Sequence, residues 1–240
     1  MRQFLIRNFK SICVAAMILV FGACDLHPSE DVPIIDETFG IKFTFGDRYI
    51  DKYGNMGIVA YVSDRYIIAI SCDETELSWG IMGQTVMPKD TISAINTVGG
   101  YGIDVLRRMR SLGIENFPAQ KWCDDKNRGE DVYAGCWHLP STYTLQKLTD
   151  NGKKDMLNKR LKIGGTQLSD EEYWSCVEDL PGCGVDADDD TLVGEIQHDS
   201  DNRAIPIILP YSANYSKSSW QKKDIHRVRA IKYIYLNLTY

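Results

Sequence analysis

The chain has 240 residues, with 33 acidic against 27 basic side chains and a formal net charge of −6. This balance argues against a nucleic-acid partner, because phosphate binding requires a basic surface. The length fits one domain of ordinary size with its own core, once a short N-terminal leader is set aside.

The first 23 residues have the three parts of an export signal. Three basic residues come first, an apolar run follows over residues 12–21, and two small residues stand directly before Cys24. The apolar run is too short to cross a bilayer, which takes about 20 residues. We therefore expect cleavage before Cys24 and lipidation of its side chain, which would anchor the protein in the cell envelope, at the outer membrane. An ordinary secretory signal followed by a chance cysteine is the alternative.

The rest of the chain divides into a tether and a single predicted domain. Without residues 1–23 the chain has 24 basic and 33 acidic residues, a net charge of −9. Residues 24–38 are polar, contain Pro28 and Pro33, and are predicted to form a flexible tether. Residues 39–240 are predicted to form one domain.

The first half of the domain combines strand and helix patterns. Residues 39–45 alternate between apolar and polar side chains, which predicts a half-buried strand. Two β-rich runs, residues 58–62 and 66–70, flank a polar turn and predict a hairpin. Residues 89–112 have a helical pattern that Gly99-Gly100 interrupts, so they predict two helices or a helix and a loop.

The second half begins with helices and ends with strands. The charged residues 122–130 are predicted to be a surface loop. Ser141 is the expected N-cap of a helix over residues 142–150, and a second helical pattern covers residues 154–161. The clearest strands that follow are residues 204–209 and 227–236. The order of strands, helices and strands predicts an α+β domain.

We predict that the cysteines of the exported chain have structural roles. Five remain after Cys24, an odd number, so at least one thiol is unpaired. Cys176 and Cys183 flank a Pro-Gly turn and are candidates for a short disulfide loop. Cys123 and Cys136 are candidates for a longer loop, worth about 3 kcal/mol. Cys72 lies in an apolar run and is predicted to be a buried thiol.

Several motifs, taken in order, resemble one known family. Residues 57–62 are followed by the Trp-x-Leu-Pro-Ser motif at residues 137–141, by Tyr-Trp-Ser-x-x-Glu at residues 173–178, and by Val-Arg-x-Ile within residues 227–231. In this order they resemble the Lcl C-terminal domain family, which is named for a collagen-like bacterial adhesin. The resemblance covers roughly residues 57–233, and family members are often envelope lipoproteins.

The resemblance implies a C-type-lectin-like fold, with two helices and a twisted antiparallel sheet, related to the sulfatase-modifying-factor group. The matching motifs belong to the scaffold and imply no catalytic residue. We expect Trp137 and Trp174 to be buried, the latter with its N–H paired. Glu178 is expected to pair with Arg227 or Arg229 across the sheet.

An acidic run is the sharpest local signal for a ligand. The candidate calcium ligands are Asp186, Asp188, Asp189 and Asp190. Calcium takes six to eight oxygen ligands, but the spacing does not fit an EF-hand loop, and a solvated acidic loop without a cofactor is the alternative. The run lies in a predicted exposed insertion, residues 182–202, and long loops on a rigid scaffold often carry binding sites.

The sequence predicts binding and no catalysis. His138 and His226 stand in no motif with a nucleophile or second base. Tyr211, Tyr215 and Trp220 lie among small polar residues and could form a glycan-facing surface or the edge of the core. The predicted function is that of a lipid-anchored envelope module for adhesion to a glycan or protein. Two alternatives stay open: a structural or accessory subunit of a larger envelope assembly, such as a pilus-like or uptake complex, and an enzyme related to the sulfatase-modifying group.

Overall fold

The computed structural model describes residues 42–87, 101–132, 135–179, 200–209 and 220–236. All of them belong to one compact unit, Pro33–Tyr240, and the predicted leader and tether lie outside these ranges. The described helices are α1 (Tyr101–Ser111), α2 (Pro118–Asp125), α3 (Thr142–Thr149) and α4 (Lys153–Leu161). The described strands are β1 (Arg48–Ile50), β2 (Met56–Val62), β3 (Tyr66–Ser71), β4 (Thr75–Ser78), β5 (Glu172–Glu178), β6 (Arg203–Ile208), β7 (Trp220–Gln221), β8 (Ile225–Val228) and β9 (Ile231–Tyr235). Within these ranges, none of the helices combines the length and the apolar character that crossing a membrane requires.

The first sheet has the strand order β1-β2-β3-β9 and is antiparallel throughout. The predicted hairpin is confirmed as β2 and β3. Ser63 closes its turn, because its Oγ donates to the carbonyl of Tyr66 at 2.8 Å and accepts from the Tyr66 amide at 3.1 Å. The register shifts between Val59 and Tyr61, where a bulge bends β2.

The second sheet has the order β4-β8-β5-β6-β7, with β5 and β8 parallel and the other neighbours antiparallel. The single strand predicted for residues 227–236 was wrong: the chain forms β8 in one sheet and β9 in the other. Arg229 lies between them with its side chain fully buried. Its guanidinium donates to the carbonyls of Ser71 at 2.9 Å and Cys72 at 3.1 Å, so the chain leaves one sheet and enters the other around a buried cation.

The first sheet is buried on both faces. Val59, Ile67 and Ala69 belong to one hydrophobic cluster with Trp79, Trp137 and Trp174. The alternate residues of the same strands belong to a second cluster, which contains the leucines of α3 and α4. Burial on both faces explains why these strands read as continuous apolar runs and do not alternate. The α+β class is therefore confirmed.

The helices were predicted best where their ends have local signals. Residues 142–150 and 154–161 correspond to α3 and α4, and Ser141 caps α3 by accepting a hydrogen bond from the Thr144 amide at 3.1 Å. The surface loop predicted for residues 122–130 was wrong at its start, since α2 extends to Asp125. The charged side chains of this helix favoured the prediction of a surface loop. In the structure the carboxylate of Asp124 is turned inward and binds the Arg110 guanidinium at 2.7 and 2.8 Å. The described residues contain four α-helices where the resemblance implied two.

Two further local predictions fail. Residues 42–45 are not in a strand, because the Asp47 carboxylate accepts from the Thr44 amide at 2.7 Å and closes a turn there. Glu178 does not pair with Arg227 or Arg229. It binds Lys222 at 2.6 Å in an ion pair whose two side chains are completely buried.

Cys123 and Cys136 are not joined by a disulfide in the structure, whereas the pairing of Cys176 with Cys183 stays a prediction. Cys123 is a buried free thiol in the tryptophan-containing cluster, whereas Cys136 packs in a separate small cluster with Ile103 and Leu106. The two side chains therefore face different cores. Cys176 is buried, and its predicted partner Cys183 lies outside the described residues. Cys72 is buried, as predicted.

Candidate functional site

An open cleft of about 480 Å³ lies at the end of the second sheet where β5 and β8 begin and β6 ends. We call it the acidic cleft. Its lining residues are Glu76, Glu171, Glu172, Ile208, Ile225, His226 and Arg227. They come from four chain segments that only the sheet topology brings together.

The strand register explains why these side chains meet. Arg227 stands opposite Glu76 on β4 and beside Tyr173 on β5. Glu172, one residue before Tyr173, stands opposite Ile208 on β6. The parallel pairing of β5 and β8 thus places the acidic start of one strand next to the His226-Arg227 pair of the other.

Arg227 is held in place by three carboxylates. Its Nη1 donates to Glu74 at 2.6 Å, its Nε donates to Glu171, and its Nη2 lies 3.5 Å from Glu76. The hydrogen bonds to Glu171 and Glu74 raise the pKa of Arg227 above its usual range. Glu171 and Glu76 remain 65% and 57% exposed, so their other lone pairs face the solvent. Arg227 therefore organises the carboxylates and leaves them able to accept hydrogen bonds.

His226 and Trp220 share the carboxylate of Glu172. The His226 Nδ1 lies 3.1 Å from one oxygen, and the Trp220 indole N–H donates to the other at 3.0 Å. The imidazole also stands edge-on to Trp174, with ring centroids 4.5 Å apart. Burial lowers the pKa of His226 while Glu172 opposes that shift, so the ring is neutral at pH 7. Its Nε2 is buried and has no hydrogen-bond partner among the residues that the structure describes.

The balance of charges in the cleft selects its ligands. Its lining includes three glutamates and one arginine, a net charge of −2 with His226 neutral. Anionic ligands are disfavoured, whereas hydroxyl groups and cations can donate hydrogen bonds to the carboxylates. The arrangement is suited to binding.

Most residues singled out in the sequence fall outside the described ranges. They are Cys24, Cys183, Asp186, Asp188, Asp189, Asp190, Tyr211 and Tyr215. Trp220 is described, and its side chain lies 41% exposed beside the cleft. In the parts of the chain that the structure describes, no three His, Cys, Asp or Glu side chains are grouped to hold a metal ion. The calcium site stays a prediction.

Sequence reasoning missed the central part of the cleft. His226 was set aside because no motif surrounds it, and Arg227 was assigned to Glu178. Glu171 and Glu172 stand directly before the Tyr-Trp-Ser motif, and this acidic pair at a strand start was the available signal. It required knowledge of the parallel pairing with β8 to be interpreted.

The fold and the cleft define an α+β protein with an acidic cleft beside Trp220. No protein-family model matches the chain, and no curated protein matches it. The resemblance to the Lcl C-terminal domain family therefore stays a prediction. Among solved structures, the chain is similar to a fimbrial protein from Bacteroides ovatus, with 14% identity and a TM-score of 0.43. The match covers 69% of this chain and 35% of that one, so the chain spans about a third of that protein's length. We draw no function from a match at this level.

Proposed function

We propose that the chain is a lipid-anchored binding module of the bacterial cell envelope that recognises a glycan in the acidic cleft. One observation carries the proposal: the exposed ring of Trp220 is fixed beside the cleft by the bond from its N–H to Glu172. A fixed aromatic face offers a stacking surface for the C–H face of a sugar ring. The adjacent carboxylates of Glu171 and Glu76 can accept hydrogen bonds from the sugar hydroxyls.

The charge of the cleft restricts the class of glycan that it can bind. A net charge of −2 among the lining side chains repels uronic acids and sulfated sugars. Neutral sugars and sugars with a free amino group satisfy the carboxylates without that repulsion. We expect the ligand to belong to these two classes.

The proposed role is non-catalytic. The enzyme alternative would require a reactive cysteine, and burial raises the pKa of the Cys176 thiol far above its usual value. Burial also raises the pKa of Cys123. A thiol held protonated in a closed core is a poor nucleophile.

The proposal also includes a C-type-lectin-like fold and a lipid anchor. The C-type-lectin-like assignment is supported by the family's tryptophans: Trp137 and Trp174 are both fully buried, and their N–H groups donate to Asp51 and Leu77. The lipid on Cys24 at the outer membrane is supported by the leader sequence alone.

A glycan array probed with the full chain tests the proposal. We expect Trp220-dependent binding to neutral or amino-bearing oligosaccharides, and any binding of acidic ones should not depend on Trp220. Trp220→Ala and Glu172→Gln should each weaken binding about tenfold, which corresponds to about 1.4 kcal/mol. Met156→Ala removes an exposed apolar side chain on α4 and is the matched control. If no glycan binds, or if Trp220→Ala binds like the control, the proposal is wrong. Repeating the array in EDTA tests the calcium prediction, because loss of binding there would support it.

A further inference from the structure

A row of tyrosines continues the first sheet beyond the part that the helices cover. On the sheet face that packs against α3 and α4, Ile68 of β3 lies between two tyrosines of the neighbouring strands. It pairs with Tyr61 of β2 on one side and with Tyr233 of β9 on the other. Two residues further along, Tyr66 stands opposite Tyr235. The apolar core of this face thus ends in tyrosines where the sheet reaches the solvent. Tyr61, Tyr66, Tyr235 and the neighbouring Tyr143 of α3 are called the tyrosine row.

The rings brace one another. Tyr66 stacks on Tyr61 with centroids 5.8 Å apart, and it contacts Tyr233 at 5.6 Å and Tyr235 at 6.0 Å. Partial burial, and after it the neighbouring Tyr61, raises the pKa of Tyr66. Rings already packed in place lose little conformational freedom when a ligand binds, so the row is preorganised.

The row is amphipathic and open. Tyr143 is 37% exposed and Tyr235 is 46% exposed. Next to Tyr61, Val62 is 39% exposed, and the other exposed apolar side chain of the hairpin, Met56 at 49%, lies at the opposite end of β2. A protein–protein hot spot needs an apolar centre that excludes water. The flat faces of tyrosine rings that already pack against one another fit a sugar chain better.

A cation lies against the row in an otherwise acidic protein. The Lys147 ammonium lies 4.4 Å from the Tyr61 ring centroid and 6.0 Å from that of Tyr143. Among the ion pairs of the described residues, neither Lys147 nor Arg65 takes part. Arg65 lies at the end of β9, because its carbonyl accepts from the Leu236 amide at 2.9 Å. Asp64 and Asp150 are the nearest carboxylates along the chain.

We propose that the tyrosine row binds an acidic polysaccharide, one whose sugars carry carboxylates. The rings would stack on the sugar faces, and the Lys147 ammonium and the tyrosine hydroxyls would donate hydrogen bonds to the carboxylates. This site lies on the first sheet and takes ligands of a charge that the acidic cleft on the second sheet repels. The two sites can therefore be tested separately.

Polygalacturonate oligosaccharides are the probe, and their methyl-esterified form is the uncharged counterpart. The full chain is titrated by calorimetry at low and high salt. We expect the acidic oligosaccharide to bind, the ester to bind at least about fivefold more weakly, and added salt to weaken the binding, because salt screens the attraction between the ammonium and the carboxylates. Lys147→Glu should lower the affinity about tenfold, or about 1.4 kcal/mol.

Two sets of variants keep the test specific. Tyr143→Ser and Tyr235→Ser change exposed rings and should each weaken binding severalfold with thermal unfolding unchanged. Lys159→Glu makes the same charge change on the exposed side of α4 and is the matched control. Trp220→Ala, which disables the acidic cleft, should leave polygalacturonate binding intact. The proposal is overturned if polygalacturonate does not bind, if the ester binds equally well, or if Lys147→Glu behaves like Lys159→Glu.

Discussion

Replacing Lys222 by methionine should destabilise the protein strongly, although Lys222 lies far from any expected core element in the sequence. Its ammonium donates to the Glu178 carboxylate at 2.6 Å and to the Gln84 carbonyl at 2.6 Å. Glu178 in turn accepts from the amides of Val86 and Met87 at 2.9 to 3.0 Å. Methionine keeps the length of the side chain and removes only the charge and the donors.

The magnitude follows from complete burial of both partners. Burial raises the pKa of Glu178, whereas Lys222 and the hydrogen bonds from the Met87 and Val86 amides act in the opposite direction. Removing one partner of a buried pair costs about 3–5 kcal/mol. For a domain of this size each kcal/mol corresponds to about 2–4 °C in Tm, which gives a fall of about 6–20 °C.

Urea unfolding and calorimetry of the full chain measure this effect. Lys223→Met changes the exposed neighbour and should alter the free energy of unfolding by less than about 0.5 kcal/mol. Adding Glu178→Gln to Lys222→Met should recover part of the loss, because the uncompensated carboxylate is then gone. Equal stabilities for Lys222→Met and Lys223→Met would refute the reasoning.

Four further predictions concern other parts of the chain. Burial lowers the pKa of His138 to about 4, whereas an unfolded histidine titrates near 6.5. Between those two pH values only the unfolded chain takes up the proton. Urea melts should therefore show the free energy of unfolding decreasing as the pH is lowered from about 6.5 towards about 4, by up to about 1.4 kcal/mol per pH unit. His138→Asn should reduce this slope. A Cβ at Gly102 would lie 2.4 Å from the His138 ring, so Gly102→Ala should cost about 1–3 kcal/mol in the same assay, and an unchanged stability would contradict the packing. Ser141→Ala removes the cap of α3 and should cost about 1 kcal/mol in thermal unfolding. Cys24→Ser should abolish partition of the protein into detergent, and continued partition would end the anchoring hypothesis.

The sequence predicted those parts of the fold whose signals are local. The β2–β3 hairpin is set by a three-residue polar turn, and α3 by a serine cap that bonds three residues ahead. Both could be read without knowing the rest of the chain.

The missed parts depend on distant partners. Residues 227–236 alternate like one strand, and only the carbonyl of Ser71, 158 residues before Arg229, reveals why the chain changes sheets. The acidic cleft also depends on a partner that is distant in the sequence, since Arg227 is bound by Glu74, 153 residues earlier. Pairing between distant strands is set by tertiary packing, which a single sequence does not display.

The indole N–H signals of the tryptophans test the central claim most directly. The chain has five tryptophans, and the N–H groups of Trp79, Trp137 and Trp174 are bonded inside the core. The full chain labelled with ¹⁵N-tryptophan is titrated with the neutral or amino-bearing oligosaccharide that binds best on the array. We predict that the Trp220 signal shifts in a saturable manner and that the three core signals do not move. Binding without a shift of the Trp220 signal would contradict the assignment of the acidic cleft as the glycan site.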